Sequence, residues 1–147
     1  MSVSAENIAE VLGGPSVLGQ PVRNLRDLED IVSGGIPKSA LDNVVGVLAG
    51  PHGGTATKAH LRNKVVPCAT YQNVERLNLQ AGQTTVRLAR LYALALSAFE
   101  DGNAAARFLT TPHGELEGCT PFDVALTETG GREVEEVTER GLHGLPA

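Results

Sequence analysis

The stretch from Thr84 to Phe99 is apolar around almost its whole circumference, and it constrains the fold of this 147-residue chain more than any other segment. From Val86 onward, only Arg87, Arg90 and Ser97 interrupt the apolar residues. A single apolar stripe facing a single core does not describe such a helix. It needs burial on every side, so we expect other helices to wrap around it, or a second copy or a partner to pack against it.

The composition excludes several classes of protein. No run reaches the ~18 uncharged apolar residues that a bilayer crossing needs, and the first residues lack the pattern of a secretory signal. We therefore expect no membrane partner and a cytoplasmic location. Cys68 and Cys119 are the only cysteines, and they lack the spacing of a zinc or redox pair. With no Trp and few other aromatic residues, stacking of single-stranded nucleic acid is not an expected binding mode.

Charge is distributed unevenly along the chain. Residues 1–54 carry a net charge of −3, residues 55–92 carry +5, and residues 93–147 carry −7. Such asymmetry indicates either separate contact surfaces or an unevenly charged, solvated exterior. The acidic C-terminal third is poorly suited to a phosphate backbone, whereas the basic middle is compatible with one.

Glycine and proline divide the chain into segments with helical periodicity and little sign of strands, so the predicted fold class is all-α. The clearest amphipathic helix begins near Pro37 and ends at Gly50-Pro51. Its apolar face consists of Leu41, Val44, Val45 and Leu48. Upstream, Asn24 is predicted to cap a helix that ends at Gly34-Gly35, and residues 17–22 are predicted to be extended or a turn.

The C-terminal third contains further helix signals. Asn103 is predicted to cap a short helix that runs through Leu109. Thr120-Pro121 has the chemistry of a helix start, because the threonine hydroxyl accepts from first-turn amides and proline suits the first helical position. That helix is predicted to stop at Gly130-Gly131, and a final helix to end at Gly141.

Two short predicted helices, at residues 57–66 and 68–75, are separated by Pro67 and suggest a degenerate helix-turn-helix. The candidate contacts to DNA phosphates are Lys58, Arg62, Lys64 and Arg76. The second helix, however, carries no Arg or Lys before Arg76, so a helix pair that packs without touching DNA is the favoured interpretation. DNA binding stays open as a possible but doubtful partner interaction.

Several short motifs occur along the chain. Each motif is common by itself, but the ordered set is specific. They are Leu12-Gly13-Gly14, Leu18-Gly19, Gly35-Ile36-Pro37-Lys38, Arg87-Leu88-Ala89-Arg90 through Phe99, Ala105 to Leu109, Thr111-Pro112, Thr120 to Asp123, Thr127 to Gly130, and Gly144-Leu145-Pro146-Ala147. In the order and residue content of these motifs, the chain resembles the Xre/MbcA/ParS antitoxin family, whose members are partners of RES-domain toxins. The ParS branch of this family looks most similar.

This resemblance implies an N-terminal helix-turn-helix-like region over residues 1–76 and a helical toxin-binding domain over residues 77–147. It implies a type II antitoxin that inhibits a RES-domain toxin, an enzyme that degrades NAD or transfers ADP-ribose, by placing its C-terminal tail at the toxin active site. The tail residues are Arg140, Gly141, Leu142, His143, Gly144, Leu145, Pro146 and Ala147. A glycine-containing tail suits a narrow cleft, Pro146 limits the entropy lost on ordering, and a terminal carboxylate suits a phosphate-binding site. The alternative for such a short tail is disorder.

Supporting contacts to the toxin are expected from Glu128 and Arg132, whose alternative role is ordinary solvated charge near a helix end. The apolar helix is expected to mediate a homodimer within a toxin-antitoxin hetero-oligomer. Its predicted dimerisation residues are Val86, Arg87, Arg90, Leu91 and Leu94.

An autoregulator of its own operon and an enzyme are the other functional classes. Catalysis is disfavoured because His52, His60, His113 and His143 lie in separate segments without a spaced carboxylate or cysteine partner. We therefore predict no catalytic residue, no metal site and no cofactor.

Overall fold

A computed structural model describes residues 3–49 and 57–142, and the side chains of the last two of these, Gly141 and Leu142, are outside the description. In this part of the chain every named element is a helix, which confirms the all-α prediction. The helices are α1 (Ala5–Leu12), α2 (Pro15–Leu18), α3 (Leu25–Ser33), α4 (Lys38–Ala49), α5 (Lys58–Val65), α6 (Cys68–Asn73), α7 (Leu79–Phe99), α8 (Gly102–Thr110), α9 (Pro121–Val124) and α10 (Glu128–Leu142), with a 3₁₀ turn at Gly114–Leu116. Across residues 3–49 and 57–142, no helix is long and apolar enough to cross a membrane.

Helix α7 is the centre of the molecule. It contacts α1, α3, α4, α5, α8 and α10, so most of its circumference is covered by the chain itself. It begins five residues before the predicted start at Thr84, because the side chain of Asn78 caps the helix by accepting a hydrogen bond from the amide of Ala81 at 2.8 Å. The covering of an all-round apolar helix by neighbouring helices is one of the two arrangements expected from the sequence.

Close backbone approach brings α3 onto the start of α7. A Cβ atom at Gly82 would lie 3.2 Å from a methyl group of Val32, so a larger residue would require the Val32 side chain to shift. The segment just before α4 also pairs with the segment just before α7, since the amide of Leu77 donates a hydrogen bond to the carbonyl oxygen of Ile36 at 2.8 Å. These contacts place the first turns of α4 and α7 side by side.

The amphipathic pattern of α4 is confirmed, because Leu41, Val44, Val45 and Leu48 are all fully buried. Asn24 caps α3 as predicted, accepting from the amide of Asp27 at 3.0 Å. The predicted end of α4 at Gly50-Pro51 and the predicted loop at residues 52–54 lie outside the described residues.

Two local predictions are wrong. Part of the stretch at residues 17–22, predicted to be extended or a turn, is helical, because Pro15 occupies the first position of the single helical turn α2. Helix α8 is capped by Asp101 rather than Asn103, since the Asp101 carboxylate accepts from two first-turn amides at 3.3 Å. The Thr120 cap of α9 is confirmed, with its hydroxyl accepting from the amide of Asp123 at 3.1 Å.

The glycine pair at Gly130-Gly131 lies inside α10 and does not end a helix, which corrects the prediction. A Cβ atom at Gly130 would lie 1.7 Å from the carbonyl oxygen of Val124, and one at Gly131 would lie 2.6 Å from Cδ of Arg87. The two glycines are therefore required for close packing of α10 against α9 and α7. Helix α10 also continues past Gly141 to Leu142.

One hydrophobic core runs through the described residues, with contributions from both sides of the predicted boundary at residue 76. Ile8 and Leu12 of α1 join it from the N-terminal side, and Phe122 and Val134 join it from the C-terminal side. The division into an N-terminal helix-turn-helix-like region at residues 1–76 and a toxin-binding domain at residues 77–147 stays a prediction.

Candidate functional site

A groove of about 830 Å³ lies between α3, α7 and α10. Its floor contains Val86 and Leu91 of α7, and one wall carries Glu128 and Arg132 of α10. Six of the residues predicted as toxin-binding or dimerisation residues line this one groove: Val86, Arg87, Arg90, Leu91, Glu128 and Arg132. Leu94 lines an adjoining depression of about 450 Å³ that shares Ile8, Leu25, Arg90 and Glu135 with the groove. The structure thus gathers two predicted sets of residues, which the sequence treats as separate, on one face.

Arg87 is a positively charged residue of this groove whose side chain is held by contacts within the fold. Its guanidinium donates to the carbonyl oxygen of Ala125 at 3.1 Å, and Gly131 packs directly against its side chain. Burial lowers the pKa of Arg87 from its ordinary value, and the nearby charge of Glu128 opposes that shift. An arginine stays charged despite such a shift, so Arg87 acts as a fixed, partly desolvated positive charge between α7 and α10.

The other charges of the groove are more accessible. Arg90 forms an ion pair with Glu135 of α10. Glu128 and Arg132 form an i,i+4 pair with a nitrogen-to-oxygen distance of 3.6 Å, and their side chains are 76% and 77% exposed. A pair this exposed contributes little to stability, so both groups are free to exchange their mutual contact for a partner's charges.

The two leucines of the predicted dimerisation set belong to the interior of the chain. Leu91 and Leu94 are only 2% and 3% exposed. The exposed apolar groups beside them are instead Leu25 and Leu79, at 60% and 55% exposure, which lie on the groove rim. Neither leucine is distinguished by the sequence, because Leu25 fits the helical spacing of the buried face of α3 and Leu79 lies before the predicted start of the apolar helix at Thr84.

The last turn of α10 is held by an ion pair between Arg140 and Glu115, with a nitrogen-to-oxygen distance of 3.4 Å. Glu115 lies in the 3₁₀ turn, whose position is set by the antiparallel bridge between His113 and Cys119. Glu115 was not predicted, since a glutamate in a loop carries no distinctive sequence signal. Of the predicted tail, Gly141 and Leu142 end α10, and residues 143–147 lie outside the described residues.

The four predicted DNA contacts are mostly engaged within the chain. Arg62 pairs with Asp42 at 3.0 Å and stacks over the ring of Tyr71. Lys64 pairs with Asp123 at 2.6 Å. Arg76 donates to the carbonyl oxygen of Gly35 at 2.8 Å. Among these four, Lys58 alone makes neither an ion pair nor a hydrogen bond with the part of the chain that is described.

A phenol-carboxylate contact anchors α6. The hydroxyl of Tyr71 hydrogen-bonds the carboxylate of Asp42, and Lys38 donates to the backbone oxygen of Tyr71 at 3.0 Å. Burial and the bonded, negatively charged Asp42 raise the pKa of Tyr71, although Arg62 partly offsets the effect. Helix α6 is otherwise exposed and buries no residue fully. DNA binding and the helix-turn-helix likeness stay predictions, and the engaged cations do not favour them.

Within residues 3–49 and 57–142, no group of three or more His, Cys, Asp or Glu side chains is placed to hold a metal ion. His60 and His113, the two histidines in these ranges, lie on different elements. The Nε2 atom of His113 lies 3.1 Å from the carbonyl oxygen of Phe108, so this ring has a structural contact.

Residues 94–143 match the family model of the antitoxin Xre/MbcA/ParS C-terminal toxin-binding domain. This region belongs to that antitoxin family. The domain covers the end of α7, then α8, α9 and α10, and it implies an antitoxin role with a toxin protein as partner. The chain has no match among curated proteins.

The family resemblance stated from the sequence is therefore confirmed for the toxin-binding domain, whereas the ParS branch stays a prediction. The α10 wall of the groove, with Glu128, Arg132 and Glu135, and the Arg140–Glu115 ion pair both lie within this domain. The α3 wall lies outside it.

Proposed function

We propose that this antitoxin inhibits a RES-domain toxin, an enzyme that degrades NAD or transfers ADP-ribose, by placing residues 140–147 at the toxin's NAD cleft. The observation that carries the proposal is that the match to the toxin-binding domain ends at residue 143, immediately after a helix whose start is closely packed against α9 and α7. The chain contributes shape and charge to the contact, and we assign it no catalytic step and no cofactor.

The start of α10 is fixed by close packing. Gly130 sits against the backbone of α9, and Gly131 sits against Arg87 of α7, so this turn packs too closely to leave room for larger side chains. Val134 and Val137 continue the contact into the core. Near the far end, Arg140 forms only a half-exposed ion pair with Glu115, which holds that turn weakly. A helix packed in this way reduces the entropy lost when the segment after it becomes ordered on a partner.

The segment has a composition suited to a narrow cleft. Gly141 and Gly144 give the backbone freedom and little width, while Pro146 restricts the conformations that must be lost on binding. Arg140 is half exposed beside Glu115, and it is available to a partner at the base of the segment. In this proposal the segment excludes NAD by occupying its site.

Glu128 and Arg132 are proposed as supporting contacts to the toxin. Their exposed pair lies on the α10 wall, about two to three helical turns before Arg140. Ion pairs that form at the rim of an interface mainly change association rate and specificity. Charge reversal at these positions is therefore expected to slow association with the toxin more than it changes dissociation.

Self-association through the face that carries the groove is also part of the proposal. Val86 and Arg90 offer surface there, and the exposed Leu25 and Leu79 add apolar area next to them. Leu91 and Leu94 support this face from beneath. Sedimentation of a Leu25→Ser, Leu79→Ser variant tests the idea, with a shift from dimer to monomer expected and an unchanged dimer contradicting it.

Growth rescue tests the inhibitory mechanism. The neighbouring reading frame, which under this proposal encodes the RES-domain toxin, is co-expressed with the full chain or with a version that ends after Gly141. The full chain is expected to restore growth, and the shortened one to restore it poorly. Equal rescue by soluble, equally abundant versions would contradict the role of the tail, and failure of the full chain to bind the toxin would contradict the choice of partner.

A further inference from the structure

An aromatic cluster lies at the surface where α7 ends. The ring centroids of Phe99 and Phe108 are 5.3 Å apart, and those of Phe108 and His113 are 4.8 Å apart. Phe99 is 40% exposed and the adjacent Leu96 is 39% exposed. We refer to Leu96, Phe99, Phe108 and His113 as the aromatic cluster.

The cluster is unusual within this chain. The sequence has three phenylalanines and no tryptophan, so its core consists almost entirely of aliphatic side chains. Phe122 is buried, yet the other two phenylalanines stand in this partly exposed cluster. Keeping apolar rings in water brings no benefit to folding, and exposed aromatic groups that lie together are typical of protein contact sites.

A continuous chain of contacts joins the cluster to the end of α10. The backbone oxygen of His113 accepts from the amide of Leu116 at 3.0 Å, which closes the 3₁₀ turn that carries Glu115. Glu115 in turn pairs with Arg140 in the last turn of α10. The aromatic cluster and the base of the proposed inhibitory segment are therefore held on one part of the surface, by contacts that involve only a few residues.

We propose that the aromatic cluster is a docking surface for the toxin, and that it contacts an apolar patch beside the NAD cleft while residues 140–147 enter that cleft. This inference rests on the proposed function. The partner is assigned from two observations: all four residues lie within the toxin-binding domain, and the cluster is continuous with the helix end that leads into the inhibitory segment. The cluster supplies apolar contact area and the segment supplies the block.

The test measures the affinity of the purified chain for the purified RES-domain toxin. Phe99→Ala is compared with Val47→Ala, because the two side chains are similarly exposed, at 40% and 38%, but Val47 lies on α4, outside both the groove and the toxin-binding domain. Phe99→Ala is expected to weaken binding by at least about 10-fold, as the loss of an aromatic hot-spot residue does, and Val47→Ala by less than about 2-fold. Equal affinities for the two variants would overturn the proposal.

A measurement of the oligomeric state distinguishes a contact with the toxin from a contact between two copies of this chain. If Phe99→Ala binds the toxin like the original chain but dissociates a dimer in sedimentation, the cluster is a contact between copies and the proposal is wrong. If the original chain fails to bind the toxin, the proposed function itself is wrong. If shortening the chain after Gly141 weakens binding while Phe99→Ala does not, the proposed function stands and the docking role of the cluster is wrong.

Hydrogen exchange tests the docking role of the aromatic cluster without a substitution. It therefore remains informative if Phe99→Ala destabilises the fold. Backbone amides from Leu96 to His113 are followed in the unmodified chain, alone and with the toxin. Slower exchange in the complex is expected over this range, whereas the amides of α3 serve as the internal reference. Unchanged exchange from Leu96 to His113, with slower exchange elsewhere, would overturn the proposal.

Discussion

The basic middle of the chain and the start of α10, in the acidic C-terminal third, use their charges in opposite ways. In the middle, Arg62, Lys64 and Arg76 are bound to groups elsewhere in the chain. In the C-terminal third, Glu128 and Arg132 meet in a largely exposed pair. A segment's net charge therefore does not identify its binding surface, because charges that stabilise the fold are no longer available to a partner.

The two regions also differ in how they are attached to the core. Helix α6 is held by hydrogen bonds and ion pairs around Tyr71 and buries no residue fully. Helix α10 is held by direct backbone packing at Gly130 and Gly131 and by the buried Val134. Steric contacts of this kind are costly to disturb, whereas partly exposed ion pairs are not. The largest losses of stability should therefore follow changes in α10.

Gly130→Ala is expected to have the largest effect. The added methyl group meets the carbonyl oxygen of Val124, which is backbone and cannot move aside alone. We expect a loss of about 3 kcal/mol in the free energy of unfolding, at the upper end of overpacking costs. Denaturant unfolding monitored by circular dichroism gives the value.

Gly114→Ala is the matched control for Gly130→Ala, because a Cβ atom at Gly114 has no heavy atom within 4 Å among those described. It should change stability by less than about 0.5 kcal/mol. Equal losses for the two variants would break the contrast between close-packed and open positions.

Asp42→Asn is expected to have an intermediate effect. It removes the negative charge that holds Arg62 and Tyr71 together, although about a quarter of each ion-pair side chain remains in water. We expect a loss of about 1 to 2 kcal/mol, reduced by that exposure. A loss as large as that of Gly130→Ala would show that the middle region is held as strongly as α10.

The pKa of Tyr71 tests the contact between Asp42 and Tyr71 directly. Its pKa is raised above the ordinary value of 10.0, so the folded chain keeps its proton to higher pH than the unfolded chain does. The contribution of this pKa difference to the free energy of unfolding is fully present below pH 10.0. It is lost as pH rises through the pKa of Tyr71 in the folded chain. In a Tyr92→Phe background, Asp42→Asn should lower the Tyr71 pKa, measured by tyrosinate absorbance. An unmoved or raised value would contradict the assigned cause.

Lys64→Gln should have a smaller effect, because both partners of the Lys64–Asp123 pair are about one-third exposed. The expected loss is below about 1 kcal/mol, as for other surface pairs, and chemical denaturation measures it. A loss well above that value would mean that the link between α5 and α9 is a major support of the fold.

The smallest expected effect concerns duplex DNA. With three of the four predicted contacts engaged, the slope of log affinity against log salt should be about 1 in magnitude, corresponding to one phosphate contact. Lys58→Ala should remove most of that dependence, as measured by fluorescence anisotropy. A slope of several units would revive the DNA-binding alternative and break the comparison between the two regions.

The sequence predicted those features that depend on neighbouring residues. The apolar spacing of Leu41, Val44, Val45 and Leu48 was sufficient for α4, and Thr120-Pro121 was sufficient for the start of α9. The Gly130-Gly131 pair was misassigned, because local rules favour glycine at helix ends. Its actual cause is the proximity of Val124 and Arg87, one of which is distant in sequence.

The site was predictable in its members but not in its arrangement. Arg87, Arg90, Glu128 and Arg132 were all identified, yet their convergence in one groove depends on how α10 crosses α7. The burial of Leu91 and the exposure of Leu79 likewise depend on which helices cover which side of α7. Periodicity does not separate them, since Leu91 is one of many apolar positions around the predicted helix and Leu79 falls before the predicted start of that helix at Thr84.

The most direct test of the account is whether this chain and NAD can occupy the toxin at the same time. NAD binding to a catalytically inactive RES-domain toxin is measured by calorimetry, alone and after saturation with the full chain or with the version that ends after Gly141. The account predicts that the full chain abolishes NAD binding and that the shortened version, while still bound, leaves NAD binding measurable. A complex in which the full chain and NAD are bound together, with unchanged NAD affinity, would contradict it.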